Sequence, residues 1–295
     1  MKTAGREGAA LRFLYRTVPG RAVLKLLTRR GLSRAAGRFL DSPASAALIG
    51  PFVRKNAIRT EDYLPETYRC FNDFFCRKIR PELRPLPEDP DLLFAPCDGR
   101  LTVFSVTEGT VLPIKQSRYT VSELLGGDAV AARYRDGLCL VFRLCVDDYH
   151  RYCYIDDGEK GPNIFLPGVL HTVRPIALES VPVFTRNCRE YTVMRTERFG
   201  VVTQAEVGAM LVGRIDNYHG AGPIRRGEEK GRFLYGGSTV VLLLERGCVE
   251  PDESLLSASA RGEEVPVRMG QVIGRARREQ ADSQTPAERA GDNTR

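Results

Sequence analysis

The sequence predicts an α+β protein: a β-rich core of barrel- or sandwich-like character, flanking helices, and a helical N-terminal segment. Three observations predict it. From Leu92 onward, short apolar runs are separated by Gly-containing turns. Just before them, residues 67–80 place apolar side chains at a helical period. The first 40 residues interleave basic and apolar side chains as a surface helix pair does.

The elements follow in chain order. Residues 1–40 hold ten Lys or Arg against one acid, Glu7, a net +9 where the whole chain is +7. The basicity therefore belongs to this segment. Leu11, Phe13, Leu14, Val18, Val23, Leu24, Leu26 and Leu27 alternate with the charges, and Pro19-Gly20 breaks the run into two helices. That pattern suits docking on an anionic membrane surface. No nucleic-acid module follows, so nucleic acid is not the expected partner. Arg12, Arg16 and Arg21 interrupt any signal-peptide core. Residues 1–66 are thus read as a basic, amphipathic, membrane-associating helical segment.

In the helix expected over 67–80, Tyr68, Phe71, Phe74 and Phe75 share one face, and Arg69, Asp73 and Arg77 the other. Pro81, Pro85, Pro87 and Pro90 make a stiff linker. Strands are expected at Leu101–Ser105, Leu138–Leu144, Val181–Phe184, Tyr191–Met194, Val201–Val207, Met210–Ile215 and Thr239–Leu244, with a helix at Val121–Tyr134. Val265–Met269 and the turn Gly270–Ile273 read as the close of a small barrel. Residues 277–295 are polar and charged and read as a disordered tail.

Composition excludes several classes. At 42% hydrophobic and 27% charged residues, the balance is that of a globular protein. No apolar run approaches the roughly 18–20 residues of a membrane-spanning helix. The eight cysteines are scattered with no Cys-x-x-Cys pair, and only three histidines are present, so neither a metal site nor a disulfide framework is expected.

The chemistry is concentrated in four places. Gly236-Gly237-Ser238-Thr239 precedes an apolar strand. A serine hydroxyl after glycine can add to the preceding carbonyl, because glycine tolerates strained backbone and leaves room for the approach. β-Elimination then breaks the chain and leaves a dehydroalanine that hydrolyses to a pyruvoyl group. Asp98 lies in the turn Pro96-Cys97-Asp98-Gly99. His150 lies in Asp148-Tyr149-His150-Arg151-Tyr152-Cys153, a setting for an acid/base group, with Cys153 three residues on. Asp98, His150 or Cys153, and Ser238 form a candidate orienter, base and nucleophile.

These pieces stand in a recognisable order: Phe71-Asn72-Asp73-Phe74-Phe75-Cys76-Arg77-Lys78, Pro96-Cys97-Asp98-Gly99-Arg100, Asp148-Tyr149-His150-Arg151-Tyr152, Arg174-Pro175-Ile176-Ala177, Asn187-Cys188-Arg189-Glu190-Tyr191, Glu206-Val207-Gly208-Ala209 with Val212-Gly213, and Glu229-Lys230-Gly231 leading to Gly236-Gly237-Ser238-Thr239. With them the chain resembles the phosphatidylserine decarboxylase precursor family, in its clostridial bacterial class, from about residue 67 to about residue 275.

The resemblance implies a catalytic domain over 67–276 that cuts itself between Gly237 and Ser238. A β chain of residues 1–237 then stays bound to an α chain of residues 238–295, whose first residue has become a pyruvoyl group. It implies that the serine amine of phosphatidylserine forms a Schiff base there, loses CO2 and leaves as phosphatidylethanolamine, in phospholipid biosynthesis. It implies a peripheral enzyme on the cytoplasmic side of the cell membrane. A homodimer is compatible with it.

One position departs from the family pattern of two histidines three apart: the first matches His150, and the second falls on Cys153. In the family the second is similar to the base of an Asp-His-Ser relay, and the first is associated with decarboxylation. Asp98 and Ser238 match the other relay members. A free thiol with a pKa of about 8.5 is mostly protonated near neutrality, whereas an imidazole at about 6.5 is a ready base. Three groups are therefore open as the base: Cys153 with a lowered pKa, His150, or His171, where the family tends to carry Tyr. The alternative is a catalytically silent membrane-surface protein of the same fold.

Overall fold

A computed structural model describes residues 30–107, 112–114, 117–167, 188–208, 214–235 and 238–277. The basic run before residue 30, the expected strand Val181–Phe184, most of Met210–Ile215, His171, Gly236-Gly237 and the tail after 277 lie outside these residues. The described residues begin with helices α1 (Arg30–Leu40) and α2 (Ile49–Asn56), joined by a 3-10 turn at Pro43–Leu48, and continue to the short α3 (Phe71–Phe75). None of the described helices is long and apolar enough to cross a membrane.

Then come β1 (Leu92–Phe94), β2 (Gly99–Ser105), the hairpin β3 (Leu112–Ile114) and β4 (Ser117–Tyr119), and helices α4 (Val121–Leu125) and α5 (Asp128–Ala131). Next are β5 (Leu138–Leu144), β6 (Arg151–Cys153), β7 (Gly158–Lys160), β8 (Ile164–Leu166), β9 (Arg189–Thr196) and β10 (Val201–Val207). The chain closes with β11 (Ile215–Asn217), β12 (Gly222–Ile224), β13 (Glu229–Phe233), β14 (Ser238–Leu244), β15 (Val249–Pro251), α6 (Glu253–Ala260), β16 (Val265–Val267) and β17 (Val272–Ala276).

The large sheet runs β12-β7-β9-β10-β14-β5-β2-β16, with β8 also paired to β9. Strands β1-β17-β15 and β11-β13-β6 form two smaller sheets. Every described pairing is antiparallel. One face of the large sheet buries Leu101, Phe142, Leu144, Val240 and Leu242 against Tyr152, Phe233 and Ile273 of the small sheets. The other buries Val141, Val241 and Leu243 against Val121, Leu124 and Tyr134. β14 is therefore covered on both faces, which is why Val240–Leu244 reads as an unbroken apolar run.

Four expectations are corrected. No closed barrel forms among the described residues: β16 pairs only with β2 at the end of the large sheet, and β17 turns away to lie between β1 and β15. The architecture is open and sandwich-like. The helix expected over 67–80 shrinks to Phe71–Phe75, between cysteine caps at 70 and 76, and Arg77, assigned to its polar face, is buried. The helix expected over Val121–Tyr134 breaks at Gly126, whose φ of 73° ends α4 in the left-handed conformation that glycine accepts without a Cβ clash. Finally, α6 forms where none was expected, started by the Asp252 carboxylate accepting from the Ser254 amide at 2.8 Å.

Candidate active site

The site forms where the ends of β2, β5, β13 and β14 meet. Ser238 opens β14 opposite Leu144, the last residue of β5, and is fully buried. Strand alternation puts its side chain on the face of Val240 and Leu242, toward the layer that carries Tyr152 and Phe233. One residue on, Thr239 pairs with Arg143, which pairs with Arg100 of β2. Asp98 directly precedes β2, so its backbone lies about two strand spacings, roughly 10 Å, from that of Ser238. Gly99 permits the approach: a Cβ there would lie 3.0 Å from the Arg143 carbonyl oxygen.

Asp98 is not bonded to either candidate base. Its carboxylate is held by both arms of Arg84 and accepts from the Met269 amide at 2.9 Å. Asp98 thus anchors the start of β2. A second carboxyl lies close by. Asp148 accepts from the Cys145 amide at 2.6 Å, and burial pushes its pKa up to about 6 despite that bond.

His150 is fully buried under the Phe75 ring, with ring centroids 4.1 Å apart. Its Nδ1 lies 2.8 Å from the Asp148 carbonyl oxygen. A carbonyl only accepts, so Nδ1 carries the hydrogen and Nε2 keeps the lone pair. Nε2 is buried and has no hydrogen-bond partner. Burial is the main cause that pushes the pKa down to about 3; the Asp148 carbonyl bond works against it and the Arg77 charge adds to it. His150 is therefore a neutral proton acceptor with nothing to accept.

The backbone ties His150 to the segment that precedes Ser238. The Phe233 amide donates to the His150 carbonyl at 2.9 Å. Phe75, whose ring lies against His150, also packs against Tyr235. Two residues separate Tyr235 from Ser238, a reach of about 10 Å at most. Helix α3 clamps the same segment from outside: the Asn72 side chain accepts from the Tyr235 amide at 3.2 Å, and the Cys76 thiol donates to the Phe233 carbonyl at 3.3 Å. Neither clamp was assigned from the sequence, although both residues belong to the block Phe71–Lys78.

Cys153 sits elsewhere along β6. It pairs with Glu229, at the far end of β13 from Tyr235. Its thiol donates to the Pro96 carbonyl at 3.4 Å, and burial pushes its pKa up to about 12. A thiol so held carries negligible thiolate near neutral pH. The structure puts Ser238 and Asp98 at the same end of the large sheet, ties His150 to Phe233 at the end of β13, and holds Cys153 as a buried donor to Pro96, in the turn that carries Asp98.

Beside the site lies a buried ion pair that sequence reading did not single out. Lys230 Nζ donates to both Glu206 oxygens, at 2.8 and 2.7 Å, and to Asn217 at 3.1 Å. Gln204 and Asn217 also donate to Glu206. Both ions have no exposed side-chain surface. The pair fastens β13, which leads toward Ser238, to β10, which flanks β14. Among the described residues no cluster of side chains has the make-up of a metal site.

Comparison with known proteins matches this arrangement to a family. A model of the phosphatidylserine decarboxylase family matches residues 71–275. The chain is similar to phosphatidylserine decarboxylase proenzyme 2 of Clostridium acetobutylicum, 42% identical over 91% of this chain and 92% of that protein. Phosphatidylserine decarboxylase proenzymes of Clostridium botulinum and Clostridium beijerinckii are 37% and 35% identical, over 92% and 90% of this chain and 94% and 91% of theirs. The chain belongs to the phosphatidylserine decarboxylase family and is a decarboxylase.

Proposed function

We propose that the protein is a self-processing enzyme that decarboxylates phosphatidylserine to phosphatidylethanolamine and CO2, using a pyruvoyl group made from Ser238. The observation that carries the reading is the buried, neutral His150 with an unpartnered Nε2, tied through Phe233 to the chain that leads into Gly237-Ser238.

In the processing step, the Ser238 hydroxyl adds to the Gly237 carbonyl and its proton passes to His150 Nε2. Collapse breaks the amide and leaves an ester. Loss of the Ser238 α-proton expels the Gly237 carboxylate and leaves dehydroalanine, which hydrolyses to the ketone with release of ammonia. Asp98, occupied by Arg84 and the Met269 amide, holds the start of β2 beside this site rather than orienting the base. The residues fit a ketone at position 238: the position is buried, pairs with Leu144 of β5, and faces the layer that carries Tyr152 and Phe233. Bound there, the ketone supplies the electron sink for loss of CO2 from the serine headgroup. The antiparallel ladders of β14 with β5 and β10 keep the α and β chains together after cleavage.

The substrate lies in a bilayer, and the basic N-terminal segment docks the enzyme on the cytoplasmic membrane surface. Support comes from the basic sequence of α1 and from the exposed Phe39 and Leu48.

Intact mass of the purified protein tests the proposal. Two chains, the smaller lighter than its sequence mass by the conversion of Ser238 to pyruvoyl, are expected, with a single chain of 32.9 kDa for Ser238→Ala. One intact wild-type chain after long incubation, with no CO2 released, leaves the silent membrane-surface protein as the reading.

A further inference from the structure

The buried cations Arg77 and Lys160 face no carboxylate among the described residues, but Lys160 Nζ is satisfied by Asn163 Oδ1 and the carbonyls of His219 and Gly220, whereas Arg77 has a donor left over. Arg84, Arg143, Arg151 and Lys230 each face a carboxylate: Asp98, Glu264, Glu229 and Glu206. Arg77 is only 1% exposed and, among the described residues, faces none. Its Nη atoms donate to the Tyr63 hydroxyl at 3.0 Å and to the carbonyls of Asp147 and Phe74 at 3.4 and 3.5 Å. The guanidinium lies over the rings of Tyr63 and Phe74, at 4.3 and 4.9 Å. Its Nε–H is buried with no acceptor. A buried charge without a counter-ion is costly, and a donor left over beside it points to a missing anion.

Space for that anion is present. A cavity of about 170 Å³ lies against Arg77, walled by Tyr63, Tyr68 and Phe74, with the exposed Thr60 and Glu66 on its solvent side. Liquid water takes about 30 Å³ per molecule, so the space holds a tetrahedral oxyanion and some of its substituents. The Tyr63 hydroxyl accepts from Arg77, which leaves its own hydrogen for the cavity. Two contacts lead from the cavity wall toward His150: Arg77 bonds the Asp147 carbonyl, three residues before it, and Phe75, next to Phe74, lies against its ring.

We infer that this cavity binds the phosphodiester of the phospholipid substrate, with Arg77 as its counter-ion and Tyr63 as a second donor. The identity of the lipid rests on the function proposed above. The substrate's amine and carboxylate must lie at residue 238, so the negative group next along the molecule is the phosphodiester. The aromatic walls suit the glycerol carbons that follow it.

The test uses the self-cleaved enzyme with dihexanoyl-phosphatidylserine and its neutral methyl phosphotriester. For Arg77→Gln, the preference for the diester over the triester, as a ratio of kcat/KM, is expected to fall at least about tenfold, the size of one lost charge-assisted hydrogen bond, through KM. Tyr63→Phe, which keeps the ring, should lower it a few-fold. An unchanged ratio in both variants, or equal loss on both substrates, overturns the inference.

Dihexanoyl-phosphatidylglycerol, a phosphodiester without the amine, should compete with substrate and compete less well in Arg77→Gln. Activation by it, or inhibition indifferent to Arg77, would mean that the cavity does not hold the substrate's phosphodiester. If the wild type releases no CO2, the proposed function fails. Calorimetric binding of the same phosphatidylglycerol then decides this point alone: about tenfold weaker binding to Arg77→Gln upholds it, and equal binding overturns it.

Discussion

His150 steepens the acid limb of this protein's stability by an amount that follows from its surroundings. The imidazole is buried, and its folded pKa is pushed from 6.5 down to about 3, chiefly by burial. In the unfolded chain it titrates near 6.5. Between those values the unfolded state holds the extra proton. Stability is therefore full above about pH 6.5 and falls as the pH drops toward 3. One such group loses about 2 kcal/mol between pH 7 and pH 5. The figure hardly changes wherever the folded value lies below about 4.

Urea unfolding of the Ser238→Ala chain, with and without His150→Gln, measures this loss on a single uncleaved polypeptide. Asp148, whose folded pKa of about 6 gives it the opposite pH dependence, is present in both and cancels. The chain that retains His150 should lose about 2 kcal/mol more between the two pH values. Equal losses, or a larger loss in the glutamine variant, would refute the reasoning and place His150 in contact with water.

Two further outcomes are expected. Cys153→Ala should leave the rate of self-cleavage unchanged, because the thiol is a donor to Pro96 with a pKa pushed up to about 12; a time course by gel electrophoresis reads it, and a marked slowing would make the thiol the base. Glu206→Ala should cost about 3–5 kcal/mol in unfolding experiments, because it strands Lys230 as a buried charge, whereas changing both residues to Met should cost much less.

Much of the core was legible in the sequence. β5 and β10 fall at the expected residues, Leu138–Leu144 and Val201–Val207, and β14 begins one residue earlier than expected. Such strands announce themselves because alternation and apolar runs are local properties. The amphipathic period over 67–80 misled, because it counts Arg77 as polar and therefore outward. The fold instead buries Arg77 between the rings of Tyr63 and Phe74, and ends the helix at Phe75. The barrel expectation failed for a related reason. β16 and β17 are separated by one turn, and nothing local says that they join different sheets.

By itself the sequence nominated the candidate groups: the glycine–serine pair before an apolar strand, the turn aspartate, and a histidine amid charged and aromatic residues. It also raised the question of the base, through Cys153. Only the tertiary structure decided how each group behaves. Proton affinity follows from burial and partners, and those are brought from far along the chain. Phe75 covers His150, Pro96 takes the Cys153 hydrogen, Arg84 occupies Asp98, and Asn72 holds Tyr235 from 163 residues away. No local pattern encodes those meetings, because desolvation and electrostatics depend on neighbours in space rather than in sequence.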